Sequence, residues 1–410
     1  MGAPHRVLYL STSGQVGGAE RCLLSLLGGL DEAEFAPAVL AGSEGGLMDL
    51  LERQHVPAKV VPLPAALRRL SRYHDGGPGE GRMSALREMP GYLRRLYHTG
   101  AEWQPKLVHS NGIKMHYASA LLGRAWGAPL VWHLHDFPVR SSSRNETWSN
   151  RVLAALSGAP RAAVANSRAV AAEWSDAFPR LADKMQIVPN GVDVAAFQAA
   201  RLGSEPAALR QRWGFGSQDC VIGMIAIFAP WKGQEIFLRA ARQVHAAAPD
   251  IKFVLVGDDI YDTRGHGARR EQLQALTQDL GLSDAVRFAG YLHDSLPAAY
   301  AALDVMVHAS TEPEPFGRTA IEAMAAGVAV IGAAAGGMRE VLDEGKCGWL
   351  TPPRDVAALA AAMRELALSP SLRRELAAAG SARVRQEYDQ ARISREMELV
   401  YRRLLKERRT

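Results

Sequence analysis

Short apolar runs that end in polar residues recur along this chain, and between them apolar positions fall at helical spacing. Runs at 6–10, 37–41, 58–63, 106–111, 130–136, 162–167 and 186–193 predict the strands of one half. The alternation restarts at 220–226 and continues through 253–258, 286–291, 304–309, 328–331 and 348–352. Strands this short and apolar, separated by helices, predict parallel sheets covered on both faces, an α/β doubly wound architecture. The divisions predicted are 1–204, 205–388 and a tail at 389–410. Residues 188–193, Val-Pro-Asn-Gly-Val-Asp, read as a turn by composition. In the tail, Ile393, Met397, Val400, Leu404 and Leu405 lie roughly on one helical face, which predicts an amphipathic helix.

Two segments break the pattern. Residues 71–84 are Gly- and charge-rich without periodicity and predict a mobile loop, and the Ser/Arg/Asn-rich 140–150 predicts a flexible lip. The helix predicted at 86–97 carries Arg87, Arg94 and Arg95 beside Met89, Tyr92, Leu93 and Leu96. Its apolar side suits packing on the sheet, and its basic side leaves peripheral contact with anionic lipid open.

Candidate chemistry collects where strands end. The run at 304–309 leads into a Pro-broken acidic loop and then a helix that begins near Gly317 and stops at Gly327. Glu314 lies in the loop and Glu322 on the helix, eight residues later. The helix start at Phe316, Gly317, Arg318 and Thr319 offers backbone N–H groups and a positive dipole end, which suit a phosphate. Two carboxylates beside an anion site can each accept a pair of sugar hydroxyls. Taken singly, each acid also fits a solvated loop or helix face. A Gly-rich strand-to-helix turn carrying Gly17, Gly18 and Glu20 follows the first strand. It can cradle a phosphate or serve as an ordinary tight turn. The run at 130–136 puts His133 and His135 on one strand face with Asp136 next, and the run at 106–111 ends in His109, Ser110 and Asn111. Lys232 precedes a helix behind a strand and can neutralise a phosphate as a point charge.

Composition narrows the classes. The chain has 410 residues, too many for one ordinary core, with 48% hydrophobic and 22% charged residues, as in a globular protein. A net charge of +5 favours anionic substrates or surfaces, but no zinc-finger or aromatic-rich RNA-binding signature accompanies it, so nucleic acid is not the expected partner. Cys22, Cys220 and Cys347 are far apart and odd in number, which points to neither a disulfide framework nor a zinc site. The N-terminus lacks a signal-peptide core and no apolar run reaches a membrane span, so a cytoplasmic protein, soluble or peripheral at the inner membrane face, is expected.

The motif Glu-Pro-Phe-Gly at 314–317 with Glu-Ala-Met-Ala-Ala-Gly at 322–327 resembles the donor-site signature of the retaining, GT-B-fold glycosyltransferases of family 4. The resemblance runs along nearly the whole chain, in order. It implies an N-terminal acceptor-binding domain and a C-terminal nucleotide-sugar-binding domain facing a cleft. It makes the turn at 188–193 the exit from the first domain and the Ala- and Gly-bearing stretch to about Pro206 the linker, with the last helix crossing back so that its apolar face docks on the first domain. It implies transfer of a sugar from a nucleotide-diphosphate sugar to a hydroxyl acceptor (a glycan, a lipid-linked sugar or a small molecule), with retention and without a metal or other cofactor. By the same resemblance Glu314 faces the transferred sugar, and Glu322 holds the ribose. His135 touches the donor sugar, Lys232 grips the diphosphate, and Tyr291 lies near the base. Gly17, Gly18 and Glu20 face the cleft, with Glu20, Asp136 and His109 toward the acceptor. One position departs: the family carries an Arg five residues before the Lys, and here Ile227 stands there. Arg318, at the helix start, or another Arg is the expected replacement, unless the donor is unusual. A catalytically impaired nucleotide-sugar binder and a nucleotide-sugar epimerase of the same fold remain as alternatives.

Overall fold

The computed structural model describes residues 3–65, 82–138, 144–259, 269–292 and 295–407. The chain forms two compact units, one of residues 1–191 with 390–410, the other of residues 192–389.

The first unit is built on seven parallel strands: β1 (His5–Ser11), β2 (Phe35–Ala41), β3 (Ala58–Val60), β4 (Leu107–Asn111), β5 (Leu130–Leu134), β6 (Ala162–Ala165) and β7 (Met185–Ile187). Their order is β3-β2-β1-β4-β5-β6-β7. Every residue of β4, β5 and β6 is buried, because helices cover both faces. Leu8, Leu10, Val108, Trp132 and Leu134 pack on one face. Val7, Tyr9, Val39 and Val131 pack on the other, against helices Gly18–Gly28 and Gln390–Glu407. In helix Gln390–Glu407, Ile393, Met397, Val400 and Leu404 are buried on that face, and Leu405 is partly buried. Tyr401 is buried among them, a residue the apolar pattern passed over. Ser394 donates to the carbonyl of Leu26 at 2.9 Å, and Glu398 accepts from the Asp31 N–H at 2.8 Å, so polar groups fix the docking as well.

The second unit has six parallel strands: β8 (Val221–Ile225), β9 (Lys252–Val256), β10 (Val286–Gly290), β11 (Val305–His308), β12 (Ala329–Ala333) and β13 (Trp349–Thr351). Their order is β10-β9-β8-β11-β12-β13. In both sheets the order reverses once, between β1 and β4 and between β8 and β11. Outside the carboxyl ends of those strand pairs, open parallel sheets bind ligands.

Three boundaries differ from expectation. The stretch from 192 to about 206 is no linker: helix Val194–Leu202, capped by Asp193 accepting from the Ala196 N–H at 3.0 Å, belongs to the second unit. Phe197 packs on Tyr300 with ring centroids 5.8 Å apart, so the first division falls at 191 rather than 204. The expected lip at 140–150 is helical from Arg144, within helix Arg144–Leu156, and its residues 140–143 lie outside the described residues. The expected loop at 71–84 lies outside them up to residue 81, and from Arg82 the chain is already in helix Arg82–Glu102. That helix buries Tyr92 and Leu96 and leaves Arg87, Arg94 and Arg95 exposed.

Candidate active site

In the second unit the loops after β8 and β11 interlock at the reversal of strand order. The Thr311 N–H donates to the Trp231 carbonyl at 2.8 Å. Gly233, at φ +81°, lies so close that a Cβ there would stand 1.9 Å from the Ala309 carbonyl oxygen. That contact sets Lys232 over the end of β11. Glu314 is fixed from the far side: its carbonyl accepts from the Gly337 N–H at 2.8 Å. Gly336, at φ +63°, would put a Cβ 2.3 Å from the same oxygen, so only glycine allows this approach.

Three donors converge on Glu314 Oε2: Lys232 Nζ at 3.0 Å, His308 Nε2 at 3.1 Å and Ser310 Oγ at 3.1 Å. Burial alone would raise this carboxyl. The Lys232 ammonium and the His308 hydrogen bond outweigh burial and hold it well below the usual carboxylate range. Glu314 is therefore an anion at any working pH, with the Lys232 charge beside it.

Eight residues on, Glu322 is buried in helix Arg318–Ala325. Arg318 Nε donates to its Oε1 at 2.8 Å and the Tyr300 hydroxyl to its Oε2 at 2.7 Å. Each carboxylate oxygen keeps a second lone pair for a hydroxyl donor. Arg318, expected to stand in for the missing Arg, is thus anchored on Glu322. Phe316 turns into the core, edge-on to Tyr388 at 5.6 Å, so only its backbone is offered at the helix start. Thr319 is half-buried in the first turn, and Tyr291, at the end of β10, is 41% exposed. At Ile227 the carbonyl accepts from Gln234 Nε2 at 2.8 Å.

In the first unit the ends of β1, β4 and β5 bring together Ser11, Asn111 and His135. Asn111 Nδ2 donates to the Ala19 carbonyl at 3.2 Å, which leaves Oδ1 to accept. His135 Nε2, bonded to that Oδ1, must carry the proton. Asn166 Nδ2 donates to the His135 carbonyl at 3.0 Å, and Trp174 Nε1 donates to that of Asp136 at 2.7 Å, so the backbone here is pinned while the Asp136 side chain is exposed. Glu20 turns back on its own helix: its Oε2 accepts from the Gly17 N–H at 3.1 Å, and Ser11 Oγ donates to its Oε1 at 3.4 Å. Burial pushes the Glu20 carboxyl up to about 7, against those hydrogen bonds. The Gly17 N–H is thus occupied by Glu20, whereas Gly18 faces open space, with nothing within 4 Å of where its Cβ would be.

One expected site residue is misplaced. His109 is fully buried, with both ring nitrogens bonded inside the protein, and so presents nothing to an acceptor. His308, Ser310 and Tyr300 were not singled out in the sequence, and Asn111 only as part of a polar strand end. His308 and Ser310 share strand parity with the end of β11 and were legible as its polar terminus. Tyr300 comes from helix Leu296–Ala301, and no local pattern joins it to Glu322.

Two Rossmann-type units, with an acid–cation cluster at the switch point of the second, define a glycosyltransferase of the GT-B fold. Residues 207–383 match the family model Glycosyl transferases group 1, and residues 16–196 match Glycosyltransferase Family 4. The D-inositol 3-phosphate glycosyltransferase of Streptomyces coelicolor is 32% identical over 345 residues, covering 77% of this chain and 75% of that protein. The structure of Anabaena HepE in complex with UDP and glucose aligns with TM-score 0.81 at 27% identity, over 96% of this chain and 98% of that one. Sucrose-phosphate synthase from Thermosynechococcus elongatus shares the fold with TM-score 0.77 at 22% identity, over 98% and 99% of the two chains. This chain belongs to the family 4 glycosyltransferases.

Proposed function

We propose that this protein is a retaining, metal-independent transferase that moves a sugar from a nucleotide-diphosphate sugar to a hydroxyl acceptor. The observation that carries the reading is Glu314, a half-buried carboxylate held ionised by Lys232, His308 and Ser310, with Glu322 one turn into the helix that follows. The similarity to HepE, solved in complex with UDP-glucose, supports a donor of that class. Glu322, steadied by Tyr300 and Arg318, accepts from the ribose hydroxyls. Lys232 and the first-turn N–H groups of helix Arg318–Ala325 balance the diphosphate as it departs, an electrostatic role fixed before reaction. Glu314 and His135 bind the transferred sugar. The bond from the anomeric carbon to the diphosphate oxygen breaks, and a bond to the acceptor oxygen forms on the same face. The acceptor proton passes to the departing diphosphate.

The acceptor is a glycan, a lipid-linked sugar or a small molecule, and D-inositol 3-phosphate joins the acceptor screen from the name of the Streptomyces relative. Among the described residues no helix is long and apolar enough to cross a membrane. The exposed basic side of helix Arg82–Glu102 supports peripheral contact at an inner membrane face. The test is to follow the anomeric signal of the product by NMR, with EDTA present. An α-linked donor is expected to give an α-linked product at an unchanged rate; a β-linked product, or a rate abolished by EDTA and restored by a divalent cation, overturns the reading. Ile227 favours a second reading, in which the donor binds but is not transferred, because one cation that the family places on the diphosphate is absent.

A further inference from the structure

Beneath His135 the first unit contains a run of buried polar side chains that the catalytic reading does not use. The Tyr9 and Tyr401 hydroxyls are 3.0 Å apart, and the Tyr401 hydroxyl is 2.7 Å from His109 Nδ1. His109 Nε2 lies 3.1 Å from His133 Nδ1, and the His133 ring rests on His135 with centroids 4.0 Å apart. Tyr9, Tyr401 and His109 are fully buried, and His133 is 5% exposed. Burial is the main cause that lowers the His109 pKa to about 3 and that of His133 well below its usual value, so both rings are neutral.

Neutral rings and hydroxyls have few ways to share protons. If the chain ran from His133 toward Tyr9, the Tyr9 hydroxyl proton would have no acceptor and His133 Nε2 would be a buried bare acceptor. If it runs from Tyr9, then Tyr9 donates to Tyr401, Tyr401 to His109 Nδ1, and His109 Nε2–H to His133 Nδ1. That direction leaves one unmatched group, the His133 Nε2–H, instead of two. Each unmatched buried group is costly, so the second direction prevails.

We propose that Tyr401 is a positioning residue for the transfer: through His109 and His133 it sets the tautomer and orientation of the imidazole stack on which His135 rests. The inference rests on the assignment of His135 to the donor sugar. It gives the last helix a part in the chemistry, because Tyr401 reaches the run only when helix Gln390–Glu407 is seated. Tyr9 lies one step further out and only donates to the Tyr401 oxygen, so its loss leaves the later donors in place.

The test compares Tyr401→Phe with Tyr9→Phe in the full chain, each removing one hydroxyl from the same core layer. Imidazole ¹⁵N spectra at neutral pH report the tautomers, and UDP release from UDP-glucose reports turnover. Wild type and Tyr9→Phe are expected to show His109 and His133 protonated on Nε2. Tyr401→Phe is expected to mix the His109 tautomers, shift the His135 resonances and lower kcat about tenfold, with KM within about twofold. The proposal is overturned if His109 carries its proton on Nδ1 in wild type, or if Tyr401→Phe leaves the His135 resonances unmoved, whatever happens to kcat. If wild type itself releases no UDP, UDP-glucose is not its donor, and the spectra still decide the relay.

Discussion

Glu20 is a buried and Glu314 a half-buried carboxylate, each at the end of a parallel sheet, and their pKa values move in opposite directions because only Glu314 has a cation beside it. Glu314 has Lys232 at 3.0 Å, whereas Glu20 has a backbone N–H and a hydroxyl. A pKa raised in the folded state means that the native protein binds the proton more tightly than the unfolded chain. The stability contributed by protonated Glu20 is complete below about 4.5 and is lost as pH rises through about 7. Glu20→Gln keeps the neutral form at every pH. Its thermal midpoint is therefore expected to match wild type near pH 4.5 and to exceed it above pH 7, by on the order of 3 kcal/mol in stability. A constant difference across that window would show that Glu20 does not titrate there. Glu314 and Glu322 were legible from sequence because their spacing sits in a distinctive motif. Tyr300, which steadies Glu322, was not, since it arrives from a separate helix, and Tyr401 was hidden in a helix read for its apolar face alone.

Loops, rather than strands, decide where the acids stand. The central strands were legible as apolar runs because both sheet faces are covered there. The helices at 194–202 and 205–212 were not, since short Ala- and Arg-bearing turns give weak periodicity and are held by a few anchors such as Phe197 and Leu209. The expected lip failed likewise, where a polar composition concealed helix Arg144–Leu156. The loop bearing Glu314 depends on the Gly336 contact at its back. Gly336→Ala adds both a left-handed backbone cost and a Cβ 2.3 Å from the Glu314 carbonyl oxygen. Gly281→Ala has a similar φ of +67° with nothing within 4 Å of the new Cβ. The first is expected to cost on the order of 2–4 kcal/mol and the second about 1 kcal/mol, read from urea midpoints. Donor binding is expected to weaken only in Gly336→Ala; equal losses in the two variants would mean that the contact does not position the loop.

At the scale of the molecule, the same device is used in each unit: a parallel sheet whose order reverses once, with polar residues gathered outside the reversal. The two-unit α/β architecture was evident from the restart of alternation at 220–226. The tail belongs to the first unit in contacts although it follows the second in sequence. The central claim is that the second unit holds a nucleotide-sugar through Glu314, Lys232 and Glu322 in spite of Ile227. Titration calorimetry with UDP-, GDP- and ADP-sugars and their free diphosphates tests it most directly, repeated for the best ligand with Glu322→Ala. Saturable binding of one donor is expected, weakened tens- to hundredfold in Glu322→Ala, as fits the loss of charge-assisted hydrogen bonds worth about 1.5–3 kcal/mol. Absence of binding by every member of the panel, or binding indifferent to Glu322, would contradict it.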